Sequence, residues 1–131
     1  MINYDRSKVE IGFLHFGLGG FHRAHQAVFI DKAIENGNLD LGIASISQRD
    51  PSLADEMKIA NSIYEVEASD GIHTEKRTIG SIKESLFYSR DEKRILEIAR
   101  SPKLKAITLT VTEKAYKDDS EFIQRLVKVL R

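Results

Sequence analysis

The chain has 131 residues, 41% hydrophobic and 31% charged, the size and balance of one soluble globular domain. Its 20 basic and 20 acidic residues cancel, and no basic block stands beside an aromatic platform, so nucleic acid and anionic lipid are not expected partners. The absence of cysteine excludes a disulfide framework, a thiolate metal site and a cysteine nucleophile. Met1 to Lys8 is polar and unlike a signal peptide, and every apolar run is too short to span a bilayer, so a cytoplasmic protein is expected.

Val9 to Phe16 (VEIGFLHF) is an apolar run backed by a glycine-rich turn, Gly17 to Gly20, and predicts a buried strand. The period then changes: Phe21, Ala24, Ala27, Val28 and Ile34 recur at helical spacing, with Gly37 as the stop. Leu41 to Ser47 returns to strand character. Strand, glycine turn, helix and strand in succession open a parallel α/β sheet. Ser52 to Asn61 predicts a short helix with a capping box formed by Ser52 and Asp55. Ile63 to Ala68 and Thr74 to Ile82 flank Asp70-Gly71 and predict a hairpin. Asp91 to Arg100 predicts a helix with its acids leading, and Pro102 follows it as a stop. Leu104 to Thr112, rich in β-branched residues, predicts another buried strand. A last helix begins at Asp119 or Ser120 and shows Phe122, Ile123, Leu126, Val127 and Leu130 on one face, with no stop signal before Arg131. The expected fold is therefore a Rossmann-type, doubly wound, mostly parallel α/β sheet with a β-hairpin insertion, cut before the next strand.

The segment with chemical content is HFGLGGFHRAHQ, His15 to Gln26. Glycines after a strand let the backbone turn sharply and approach a ligand with no Cβ between them. The amides at the start of the following helix suit a pyrophosphate. Gly17 and Gly19 fill the first two positions of the G-x-G-x-x-G fingerprint, while His22 stands at the third. Spacing alone leaves three readings open: a dinucleotide loop, a structural tight turn and the cofactor loop of a methyltransferase.

GLGGFHRAHQA is similar to the GxGxFHRAHQ signature of the mannitol dehydrogenase and fructuronate (mannonate) reductase family, the polyol-specific long-chain dehydrogenases. TLTVTEKAY, Thr108 to Tyr116, resembles the family's TLTVTEKGY, with Ala115 in place of a glycine. Ile79 to Ile82 (IGSI) and Ile46 to Pro51 (ISQRDP) also fall where the family has similar segments. The resemblance implies an NAD- or NADP-binding domain, residues 1–131, followed by a largely helical domain absent from this chain. It places the catalytic lysine, and the asparagine and histidine residues that hold the substrate oxyanion, in that second domain, so no catalytic residue is assigned here and Lys114 is not taken as the base. It implies hydride transfer between the nicotinamide and a polyol or aldonate, without a catalytic metal. A non-catalytic nucleotide-sensing or interaction module with the same fold is the alternative.

The expected cofactor contacts are Gly17, Gly19, Gly20, the Phe21 amide, His22 and Arg23 at the loop. Arg49 and Asp50, at the end of the second strand, stand where an acid selects the NAD ribose and an arginine accepts the NADP phosphate, with NAD favoured. Thr112 and Glu113, with Thr110, stand at the carboxyl end of the last strand. His22 and His25 lie three residues apart without a cysteine or carboxylate at zinc spacing, and are expected to pack and hydrogen-bond rather than bind metal.

Overall fold

The computed structural model describes residues 1–110. Within them, four parallel strands form one sheet: β1 (Ile11–Phe16), β2 (Gly42–Ser47), β5 (Ile82–Phe87) and β6 (Ala106–Leu109), in the order β5-β2-β1-β6. This is the 3-2-1-4 start of a doubly wound sheet, and the strand order reverses between β1 and β6. β3 (Tyr64–Ser69) and β4 (Thr74–Ile79) pair antiparallel as the separate hairpin around Asp70 and Gly71. The helices are α1 (Gly20–Ala24), α2 (Gln26–Glu35), α3 (Pro51–Ile59) and α4 (Glu92–Ala99).

Period-two alternation gives the sheet two covered faces. Leu14 and Phe16 of β1, with Ala44 and Ile46 of β2, pack against Ile95, Ile98 and Ala99 of α4. Ile43 of β2 turns the other way, into a cluster with Leu18, Ala27 of α2, and Ala54 and Met57 of α3. All six residues of β2 are buried, as expected of an inner parallel strand covered on both sides. His15 and Ser45 share parity with Ile43, so they fall on the α1 and α2 face. This placement decides what His22 can reach.

The structure corrects three expectations. The single helix from Phe21 is two, because His25 (φ −122°, ψ −83°) ends α1 and begins α2. The carbonyl of Arg23 near this break accepts the Tyr64 hydroxyl at 2.6 Å, a distant partner that local periodicity does not reveal. The cap of α3 is Asp50, whose Oδ1 accepts the Ser52 amide at 2.9 Å, with Pro51 opening the helix. Asp55 instead pairs with Arg90 at 2.8 Å. Finally, the second hairpin strand stops at Ile79, and Ile82–Phe87 is a parallel core strand of its own. The expected strand from Leu104 is ordered as β6 over Ala106–Leu109, while the expected terminal helix lies outside the described residues.

A buried acid ties the periphery together. Asp31 on α2 is 2% exposed. It accepts the Tyr4 hydroxyl at 2.6 Å, the Gly80 amide at 2.9 Å and Arg77 Nε at 3.0 Å. Arg77 also reaches Glu35 at 2.6 Å. The N-terminal segment, α2 and the end of the hairpin are thereby fixed to one another.

Candidate functional site: the cleft over the strand-order reversal

Gly17 bends the chain out of β1 at φ +122°, a region closed to residues with a Cβ. A Cβ built there would also lie 3.0 Å from Thr110 Cβ and 3.2 Å from its Oγ1. The amides of Gly17 and Leu18 turn inward, and both donate to the Ile46 carbonyl, at 2.8 and 3.0 Å. Gly17 therefore supplies the bend, and its N–H is committed to β2. Gly19 and Gly20 differ, because nothing lies within 4 Å of a Cβ built at either. Gly19 is the N-cap of α1, and the first-turn amides behind it have no carbonyl partner within the helix. At five residues α1 is short, so attraction for an anion there rests on these local N–H groups more than on a long helix dipole.

The loop opens onto a cleft of about 330 Å³ at the carboxyl ends of β1 and β2, within the size range of small-molecule sites. Its lining joins Gly17, Gly19, Phe21 and His22 to Arg49, Asp50 and Thr110. Six of the residues expected from sequence, together with Thr110, thus meet at one opening. Gly20 is exposed beside it. Arg23 is not part of the lining: its Nε approaches the Gly19 carbonyl at 3.4 Å on a half-buried side chain. Thr112 and Glu113 lie outside the described residues. Leu18, Ser47, Gln48 and Leu53 complete the wall and were missed in the sequence, although the position of Ser47 at the strand end was a usable signal.

Beneath the loop lies a polar layer. His22, 1% exposed, contacts Ser45 Oγ through Nε2 at 2.7 Å and Gln26 Oε1 through Nδ1 at 3.0 Å. Its ring stacks on that of His15, which contacts Thr108 and Thr110. Burial pushes the His15 pKa down to about 4, and burial together with the neighbouring His15 pushes His22 down to about 3. Both rings are neutral at physiological pH. His25, by contrast, is exposed, stacked on Phe21 and bonded to the Phe21 carbonyl at 2.8 Å. Asp50 is held below the usual carboxylate range by the Ser52 hydroxyl and amide, so it meets the cleft as an anion.

A glycine loop at the reversal point of a 3-2-1-4 parallel sheet defines a Rossmann-type domain. The chain belongs to the family of the mannitol dehydrogenase Rossmann domain, whose model matches residues 11–131. It is 34% identical over 122 residues to the D-mannonate oxidoreductase of Escherichia coli, covering 90% of this chain and 25% of that protein. It is 32% identical over 117 residues to the mannitol 2-dehydrogenase of Pyricularia oryzae, covering 87% of this chain and 23% of that protein. Among solved structures, it superposes on Pseudomonas fluorescens mannitol 2-dehydrogenase in ternary complex with NAD and D-mannitol. That match has a TM-score of 0.80 and 31% identity over 90% of this chain and 25% of that one. A D-sorbitol dehydrogenase, 23% identical with a TM-score of 0.81, shares the fold. The chain spans about a quarter of the length of these relatives. Among the described residues no helix is long and apolar enough to cross a membrane.

Proposed function

We propose that residues 1–131 form the dinucleotide-binding domain of an NAD-dependent oxidoreductase that interconverts a polyol or sugar acid with its keto form. The observation that carries this reading is the cleft itself, where the open Gly19 backbone, with Gly20 exposed beside it, lies at the reversal point between β1 and β6. A ligand can approach main chain there with no side chain intervening, as a pyrophosphate requires. The relatives' names support a substrate of the mannitol/fructose or mannonate/fructuronate type, and the NAD in the Pseudomonas enzyme supports the cofactor.

Bound nicotinamide would supply the hydride chemistry. The chain's own residues bind and orient. Gly17 sets the bend, and Gly19, Gly20 and the Phe21 amide receive the diphosphate. Asp50 and Arg49 stand at the ribose of the adenosine half, where the anionic Asp50 favours NAD and Arg49 leaves room for NADP. His22 carries no proton to the ligand, because both ring nitrogens are engaged below the loop. Thr112 and Glu113, outside the described residues, are taken as further cofactor contacts in this reading. The general base and the substrate pocket belong to the part of the relatives that this chain does not cover.

Amide-resolved NMR titration of the chain with NAD, NADP and S-adenosylmethionine tests the reading. Saturable NAD-dependent shifts at residues 19–22, 47–50 and 110–113 are expected. Response to S-adenosylmethionine alone, or to none of the three, would overturn it.

A further inference from the structure

Six side chains form one unbroken hydrogen-bonded path beneath the glycine loop, from Ser45 in β2 to Thr110 at the cleft. The links are Ser45 Oγ to His22 Nε2 (2.7 Å), His22 Nδ1 to Gln26 Oε1 (3.0 Å) and Gln26 Nε2 to Thr108 Oγ1 (3.2 Å). Thr108 Oγ1 continues to His15 Nδ1 (2.6 Å), and His15 Nε2 reaches Thr110 Oγ1 (2.9 Å).

The direction of this path follows from what each atom can do. An amide oxygen only accepts, so His22 carries its proton on Nδ1, and its Nε2 accepts from the Ser45 hydroxyl. An amide nitrogen only donates, so Thr108 accepts from Gln26, which leaves its own proton free to go to its other partner, His15 Nδ1. A neutral imidazole that accepts at Nδ1 carries its proton on Nε2, which donates to Thr110 Oγ1. A further backbone hydrogen bond at Gly17 raises the His15 pKa, as an accepting carbonyl does. The donor order in this arrangement runs one way and ends on Thr110, whose own proton has no acceptor among the described residues and is available to a partner in the cleft that it lines. Residues 47–50 line the β2 side of that cleft and Thr110 the β6 side, with the loop between them. A dinucleotide with its adenosine ribose at the end of β2 and its diphosphate on the loop extends its other half toward Thr110.

We infer that Thr110 is a cofactor-binding residue whose hydroxyl proton is directed into the cleft, donating to an oxygen of the nicotinamide riboside half, with His15 and His22 as its positioning residues. This rests on the dinucleotide reading above and adds a donor and the means of aiming it.

Two measurements on the 131-residue chain test it. Long-range ¹H–¹⁵N correlation of the imidazoles, without ligand, is expected to show His22 protonated on Nδ1 and His15 on Nε2. A proton on His15 Nδ1 would mean that Thr108 accepts from both Gln26 and His15 and that the Thr110 proton is drawn inward to His15 Nε2, and would overturn the inference. In NAD titrations, T110V is expected to weaken binding about three- to tenfold, the worth of one hydrogen bond, while T110S restores it. Unchanged binding by T110V, or no rescue by serine, would remove the donor. If the unaltered chain gives no NAD-dependent shift, the dinucleotide reading fails at its own test, whatever the tautomers show.

Discussion

The imidazoles of His15 and His22 stack face to face, with centroids 3.8 Å apart and planes 9° from parallel. One belongs to the first strand and the other to the first helix, so the contact joins the sheet to the loop that crosses its end. Burial lowers both pKa values, to about 4 and about 3 from the ordinary imidazole value of 6.5. A depressed folded pKa means that the unfolded chain takes up protons first as pH falls. The stabilisation is therefore complete above about pH 6.5, declines below it, and levels off near the folded values. Each ring contributes at most about 1.4 kcal/mol per pH unit within that window. Urea denaturation between pH 7 and pH 4.5 should show this slope, and H22Q should reduce it; a pH-independent midpoint would contradict neutral burial.

The loop glycines should separate into two kinds. Gly17→Ala places a Cβ at positive φ and against Thr110, which should cost about 1–3 kcal/mol of stability. Gly19→Ala meets open space and should leave stability within about 0.5 kcal/mol, while weakening NAD binding by obstructing the close approach. Thermal melts and NAD titrations of both variants check the distinction. Equal melting temperatures would show that the bend tolerates a side chain.

Asp50 lines the cleft and caps α3 at once. D50A removes both roles and should lower the melting temperature by a few degrees. D50N keeps an oxygen for the Ser52 amide and removes the charge. It should melt like the parent while shifting preference from NAD toward NADP. If the cofactor preference of D50N is unchanged, Asp50 is a helix cap and nothing more.

The buried Asp31 accepts from three distant groups and pairs with Arg77 at 2.8 Å. D31A leaves the Gly80 amide and the Tyr4 hydroxyl without their acceptor, while Arg77 keeps Glu35, and should cost about 1–3 kcal/mol. D31N retains acceptor capacity and should cost less. Chemical denaturation orders the two, and an equal loss would mean that the charge alone matters.

The order of strand, glycine turn, helix and strand was legible because each element carries its own local signal: apolar runs for β1 and β2, glycines for the turn, and Asp70-Gly71 for the hairpin. The convergence of Gly19, Phe21, His22, Arg49 and Asp50 was also legible, because strand ends in a parallel sheet lie side by side. β5 was not. Its sequence, IKESLF, places Lys83 and Glu84 in mid-strand, and its pairing with β2 is what makes it a strand. The break at His25 likewise sits beside a bond from Tyr64, far away in sequence, to the Arg23 carbonyl. The polar layer escaped for a similar reason. His22 filled a glycine position of the fingerprint, and its partners Ser45 and Thr108 come from two other strands. Local pattern reports what a residue prefers, whereas these contacts report which strands become neighbours.

The two inward amides of Gly17 and Leu18, both spent on the Ile46 carbonyl, have a consequence for association. A segment anchored to its own sheet before any guest arrives has little freedom left to surrender. Capture at this loop should therefore carry only a small ordering penalty, and backbone order parameters at residues 17 and 18 should be nearly the same with and without NAD.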